Sequence, residues 1–314
     1  MNLTEYRNRI VNCCRGIIRG KDDIIENVLI CWLCGGHILL EDVPGTGKTI
    51  LLRSFAKATG GSFRRIQFTP DLLPSDLTGL NIFDQKTSEF VFRPGPLFAN
   101  MVLADEINRA TPRTQSALLE AMAEKQVSVD GDTYPMADLF MIMATENPLE
   151  SFGTFALPEA QTDRFLMRLS MGYMKREEEM EVIRGTDTSI AVEKLEPVIT
   201  PEDTIAARKQ AEDIEMSSDV LDYLMKIVEE TRVDARIRAG VSTRGAIALY
   251  RASCARAGIN GRTYVLPEDI KALAVPVLAH RLSLSASSNR SSQEEMIAGI
   301  LERIPVPLEE SVFA

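Results

Sequence analysis

The 314-residue chain carries only two histidines, His37 and His280. No second His or Cys stands at ligand spacing from either, so both read as structural rather than metal-binding. Cysteine is scarce and irregular. Cys13, Cys14, Cys31, Cys34 and Cys254 form an odd set, which excludes a secreted disulfide framework. Cys31-Trp32-Leu33-Cys34 has the outline of a metal or redox pair. No second pair follows it, and it lies in the apolar run Val28 to Cys34, which reads as a buried helix. A basic surplus is missing as well: 35 Lys and Arg face 45 Asp and Glu, for a formal charge of −10. Neutralising a phosphate backbone needs the opposite balance, so the charge argues against nucleic acid and for protein or small-molecule partners. Long hydrophobic runs are lacking too. The most apolar stretch, Val28 to Leu40, is broken by Gly35, Gly36 and His37 and falls short of the roughly 18 residues of a membrane span. The opening Met1-Asn2-Leu3-Thr4-Glu5 has neither a basic nor an apolar leader region, so the expectation is no signal peptide and a cytoplasmic location.

What is present suits a soluble globular protein: 45% apolar and 25% charged residues, with length enough for two domains. Apolar spacing predicts a helix over 22–34, stopped by Gly35-Gly36. A short buried strand over 37–40 follows, then a helix over 48–59 ended by Gly60-Gly61, and a strand over 63–68. Residues 69–99, rich in Pro, Gly, Asp and Phe, read as an ordered insertion. Met101 to Ala104 and Leu139 to Ala144 are continuous apolar runs, the pattern of strands buried on both faces. A helix over 114–124 lies between them. Gln126 to Tyr134 alternates around Asp130-Gly131, a hairpin signal. Strands alternating with helices imply α/β architecture: a three-layer αβα core around a parallel sheet. Near residue 186 the character changes. The remainder shows no convincing strand, and helices are expected from Pro201, around Val220 to Val228, over 242–257, over 267–282 with a kink at Pro276, and after a capping box at Ser292 to Glu295. The expected division is an α/β domain over 1–187 and an all-helical one over 188–314.

Four constellations carry chemistry. In Asp42-Val43-Pro44-Gly45-Thr46-Gly47-Lys48-Thr49-Ile50, a strand, a glycine turn and a helix start aim backbone N–H groups and the helix dipole at one point, which binds phosphate. Lys48 is placed to contact the β and γ phosphates, and the Thr49 hydroxyl to reach Mg²⁺. Asp42 stands where the pattern calls for glycine. Second, Met101-Val102-Leu103-Ala104-Asp105-Glu106 delivers two acids from the end of a buried strand. Asp105 would hold Mg²⁺ and Glu106 would orient the attacking water. An acid pair at a strand end is weak alone, and gains force from the phosphate loop upstream. Third, Asn147, at the tip of the strand ending Ala144-Thr145-Glu146-Asn147-Pro148, can sense the γ-phosphate; a turn-forming Asn before Pro is the competing reading. Fourth, Arg164 and Arg244 could meet phosphoryl charge. By spacing alone each is a surface or salt-bridged arginine.

With these residues in view, the sequence resembles the MoxR family of AAA+ ATPases. The resemblance rests on Gly36 to Thr49, Arg65 to Gly79, Phe92 to Asn100, Ala104 to Ala110, Gln115 to Met122, Ala144 to Pro148, Leu157 to Phe165 and Gly240 to Ala246; of these, Arg65 to Gly79 is the most specific. It implies an AAA+ core and a helical lid, with ATP and Mg²⁺ as cofactors. Arg164 then matches an arginine finger acting on a neighbouring subunit's ATP, and Arg244 a second sensor carried by the lid. Residues 69–99 match a helix-2 insert, and 126–136 a hairpin before the sensor strand. The resemblance further implies a homo-oligomeric ring, most often a hexamer, and chaperone-like remodelling of a protein client with a von Willebrand factor A domain partner. Asp42 occurs at its position in some members. Thr243 stands where Pro is frequent. Alternatives are an AAA+ motor acting on nucleic acid, a magnesium chelatase subunit, and a nucleotide-gated scaffold with little turnover. The intact Glu106 weighs against the last. Arg109 and Arg113 could also touch phosphate or the next subunit, or form solvated salt bridges.

Overall fold

The computed structural model describes residues 1–42, 45–147, 153–184, 188–285 and 289–307. Two helices come first, α1 (Leu3–Arg15) and α2 (Asp22–Leu33). β1 (Ile38–Glu41) leads into the glycine loop, α3 (Lys48–Ala58) leaves it, and β2 (Phe63–Gln67) returns. The expected insertion is ordered: α4 (Pro74–Thr78) and an antiparallel hairpin of β3 (Gly79–Asp84) and β4 (Glu89–Pro94). β5 (Met101–Asp105) and α5 (Pro112–Glu124) follow. A second hairpin joins β6 (Gln126–Val129) to β7 (Asp132–Pro135) around Asp130-Gly131, where both residues have positive φ. β8 (Met141–Glu146), the short α6 (Glu159–Thr162) and β9 (Met167–Leu169) complete this part.

The five long-range strands form one parallel sheet in the order β2-β5-β8-β1-β9. The reason is visible in β5 and β8. Met101 to Ala104 and Met141 to Thr145 are buried throughout, because helices cover both faces. The order puts the C-terminal ends of β1, β5 and β8 side by side, and those ends carry the glycine loop, the acid pair and Asn147. In a parallel sheet, that edge is where ligands bind. His37 serves this frame. Its Nδ1 accepts from the Ile142 N–H at 3.0 Å and its Nε2 donates to the Met122 carbonyl at 3.2 Å. Burial lowers its pKa to about 4, so the ring is neutral and structural.

The two hairpins brace each other. Phe92 of β4 stacks on Tyr134 of β7 with ring centroids 3.8 Å apart, and the Asn81 amide donates to Asp130 at 2.9 Å. The insert's outer side shows Ile82, Phe83, Phe90 and Val91 to solvent.

Beyond the sheet come α7 (Arg176–Ile183), α8 (Thr188–Glu193), α9 (Pro201–Glu212) and α10 (Ser218–Val233). Pro201 opens α9 as expected. Its cap is reciprocal: the Thr200 hydroxyl accepts from Asp203 N–H at 3.2 Å, and the Asp203 carboxylate accepts from Thr200 N–H at 2.9 Å. β10 (Ile237–Ala239), α11 (Thr243–Ile259), α12 (Pro267–Leu278), β11 (Ser283–Leu284) and α13 (Arg290–Arg303) finish the chain. The expectation of no strand after residue 186 needs correcting, since β10 and β11 pair antiparallel. Runs of three and two residues carry no readable alternation. Pro276 stands in the last turn of α12. The α-helix ends at Leu278 and tightens into a 3₁₀ turn over Ala279–Arg281. The last helix also starts earlier than expected. Its box is Asn289 with Ser292, not Ser292 with Glu295: the Asn289 side chain accepts from Ser292 N–H at 2.8 Å, and Ser292 Oγ accepts from Asn289 N–H at 3.0 Å.

The N-terminal helix ties the parts together. α1 packs on α2 and α3 and also on α9 and α11, and the buried Tyr6 hydroxyl meets that of Thr204 at 2.9 Å.

Candidate nucleotide site

The glycine loop adopts the conformation its sequence requires. Gly45 and Gly47 have φ of 85° and 90°, a region that side chains avoid. Lys48 then begins α3, and its ammonium donates to the Asp42 carbonyl at 3.2 Å. Gly45, Gly47, Lys48, Thr49 and Ile50 line a cavity of about 350 Å³, while Thr46 is buried and not among its lining residues. Val43 and Pro44, also expected to hold nucleotide, lie outside the described residues.

Asp42 is explained by what its side chain touches. The carboxylate is buried and turned to the segment after β9, where it accepts from Ser170 Oγ at 2.8 Å, from Gly172 N–H at 3.1 Å and from Met171 N–H. Among the residues lining the cavity it does not appear. The departure from glycine thus fastens the base of the loop to the neighbouring strand end rather than touching the ligand.

Across the cavity stand the two acids. Thr145, fully buried at the end of β8, holds both: its hydroxyl donates to Asp105 Oδ1 at 2.7 Å and accepts from Glu106 N–H at 2.9 Å. Asp105 Oδ2 accepts from Arg65, at 2.6 Å from Nη2 and 3.2 Å from Nε. Glu106 Oε2 accepts from the Gln67 amide at 2.6 Å and pairs with Arg109 Nε at 3.1 Å. Glu106 itself has φ of 57°, a left-handed conformation that costs a non-glycine residue about 1 kcal/mol. It turns the chain sharply between β5 and a 3₁₀ turn at Ile107–Arg109. Asn147 is buried and lines the same cavity. The residues fit Mg²⁺. Thr49 and Asp105 offer hard oxygens to one cavity, and a cation of this kind takes few protein ligands because phosphates and water supply the rest.

The structure does not bring Arg164 and Arg244 to this cavity. Both line a second one, of about 270 Å³, with Arg251 and Arg281. Asp163 arranges this: it accepts from Ser242, the N-cap of α11, at 3.1 Å and from Arg281 at 2.7 Å, so Arg164, next to Asp163, and Arg244, two residues past Ser242, converge. Arg164 also donates to the Leu119 carbonyl at 2.5 Å. Arg109 reaches Glu106, and Arg113 is exposed. Arg65, Gln67 and Thr145 were not singled out from sequence as site residues. The signal was the alternation Arg65-Ile66-Gln67-Phe68, which puts two polar side chains on one face of β2 and two buried apolar ones on the other.

Comparison with known proteins places the fold in a family. Residues 37–167 match the model for the ATPase family associated with various cellular activities, and residues 229–300 match an AAA lid domain. The Bacillus subtilis protein YeaC is 48% identical over 297 residues, covering 94% of this chain and 93% of its own. Chaperone MoxR1 of Mycobacterium tuberculosis is 39% identical over 302 residues, covering 93% of this chain and 80% of its own. A crystal structure of a candidate ATPase from Cytophaga hutchinsonii superposes with a TM-score of 0.89 at 38% identity, covering 98% of this chain and 97% of that one. A glycine loop facing an acid pair, on a five-stranded parallel sheet joined to a lid, therefore has full-length relatives as well as a matching fold, and the chain belongs to the MoxR family of AAA+ ATPases.

Proposed function

We propose that the chain is an ATP-hydrolysing, chaperone-like remodelling subunit that works in a homo-oligomeric ring. The observation that carries the reading is the convergence of Lys48, Thr49, Asp105, Glu106 and Asn147 on one cavity, while Arg164 and Arg244 line another. In this reading Lys48 and the loop amides hold the β and γ phosphates. Thr49 and Asp105 hold Mg²⁺, which supplies charge neutralisation when bound. Glu106 orients the attacking water and takes up its proton, and Asn147 reports on the γ-phosphate. Arg164 and Arg244 belong to one face and act together on the ATP of a neighbouring subunit. The ring is a hexamer. Its client is a protein, reached with a von Willebrand factor A domain partner, and the braced hairpins, with Phe83 and Phe90 exposed, are the parts presented to it. The chain works in the cytoplasm; no described helix is long and apolar enough to cross a membrane.

The test is Glu106→Gln. A general base contributes about a hundredfold or more, so steady-state ATPase falls by at least that factor while ATP binding, read by isothermal titration, stays within about threefold. Turnover near that of the unaltered protein would remove Glu106 from its role.

A further inference from the structure

The stretch Arg65-Ile66-Gln67 does more than build β2. Ile66 and Phe68 point into the core, so Arg65 and Gln67 share the opposite face, beside the end of β5. From there the Arg65 fork grips Asp105 Oδ2 by both Nη2 and Nε. Thr145 occupies the other oxygen, Oδ1. Each oxygen of the carboxylate assigned to Mg²⁺ thus already accepts from this chain, and the charged donor, Arg65, sits on Oδ2. The contact also extends further. Arg65 Nη2 donates to Gln67 Oε1 at 3.1 Å, and the Gln67 amide donates to Glu106 at 2.6 Å.

We propose that Arg65 is the resident counter-ion of the metal-binding carboxylate and sets how much Mg²⁺ the site demands. The proposal rests on the nucleotide reading above. A guanidinium and a divalent cation on one carboxylate oxygen repel each other. Arg65 must therefore leave Asp105 when the metal is taken up, and the two cations compete. Leaving is feasible, since the Arg65 side chain is 49% exposed while Asp105 is 14% exposed. An ordinary strand-end salt bridge would be worth little and would couple to nothing. This one holds the acid the metal needs, and its second hydrogen bond runs through Gln67 to the acid that faces the water. Withdrawal of Arg65 removes a donor from Asp105 and frees the Gln67 carbonyl oxygen together, so metal uptake and the seating of Glu106 become one two-state event. Arg65 is a positioning residue in this account; it acts through Asp105 and Gln67.

The experiment is a Mg²⁺ titration of the full chain at fixed fluorescent ADP analogue, which needs no turnover. In Arg65→Met the Mg²⁺ concentration giving half-maximal binding falls roughly threefold to tenfold. Arg65→Lys, which keeps the charge and loses the fork, falls between, and it carries the test if the Met variant does not fold. In an Asp105→Asn background the Arg65→Met shift shrinks to less than about twofold, because the partner it competes through is gone. An unchanged midpoint in Arg65→Met overturns the proposal. So does a raised one, which would make Arg65 a nucleotide ligand, and so does a full shift that persists without Asp105. If the unaltered protein binds no nucleotide, or if Lys48→Ala binds it equally well, the phosphate-site reading fails and the counter-ion role of Arg65 falls with it.

Discussion

Glu146 is the position where pH should reveal the geometry of the site most directly. It ends β8 opposite Glu41, the last residue of β1, so two carboxylates sit on adjacent parallel strands just behind Asp42 and Asn147. The nearby cations favour Glu41. Arg168 lies 3.7 Å from its carboxylate, and Arg290, reaching in from α13, donates to its backbone carbonyl at 2.9 Å and pairs with Glu294 at 2.6 Å. Burial first, and then the charge of Glu41, raise the pKa of Glu146 from an ordinary 4.5 to about 7, with Arg168 opposing. The native state therefore binds this proton more tightly than the unfolded chain does. As pH rises from 4.5 to 7, the unfolded chain gives up the proton while the fold retains it, so stability declines across that window and levels off above it. The span of 7 − 4.5 = 2.5 units sets a ceiling of about 3 kcal/mol at 1.36 kcal/mol per unit. Glu146→Gln is neutral and nearly isosteric, and it escapes this penalty. Urea unfolding at a series of pH values should find the variant close to the unaltered protein near pH 5 and about 2 to 3 kcal/mol more stable at pH 8. A stability difference that stays constant between pH 5 and 8 would refute the reasoning, because the fold would not then hold the Glu146 proton more tightly than the unfolded chain does.

Two further outcomes are expected. Asp42→Ala leaves Ser170 and the Met171 and Gly172 amides without their acceptor, at a cost of about 3 kcal/mol. Thermal unfolding should drop accordingly and nucleotide affinity should weaken, with Asp42→Asn intermediate; an Ala variant as stable as the parent would deny the carboxylate its fastening role. Arg164→Ala should abolish ATPase while sparing ATP affinity. Mixed with Lys48→Ala protein in rings shown to exchange subunits, it should regain part of the activity, and no regain would count against an arginine acting across the interface.

Much of the core is legible in the residues because each signal is local. The runs at Met101 and Met141 declare buried strands, Asp130-Gly131 declares a hairpin, and Gly45 and Gly47 declare the loop. What escaped depends on partners far away in sequence. β9, with Met167 and Leu169 buried around Arg168, is three residues long and exists because β1 has a free edge to pair with. The pairing of β10 with β11 is tertiary in the same way. Asp42 looked like a departure from the loop pattern because its partners, Ser170 to Gly172, stand about 130 residues on. Arg244 could be recognised by its motif, but its place beside Arg164 depends on Asp163 meeting Ser242, a contact between residues 79 apart.

The twist at Glu106 has a consequence for how this protein tolerates change. Its left-handed backbone would suit glycine better by about 1 kcal/mol, so the fold would be firmer with no side chain there at all. The most accessible improvement in heat tolerance near the site is then one that silences it. A laboratory selection for robustness alone would drift toward loss of the acid, whereas a selection that also demands turnover would keep the strained residue. At Glu106, durability and work pull in opposite directions.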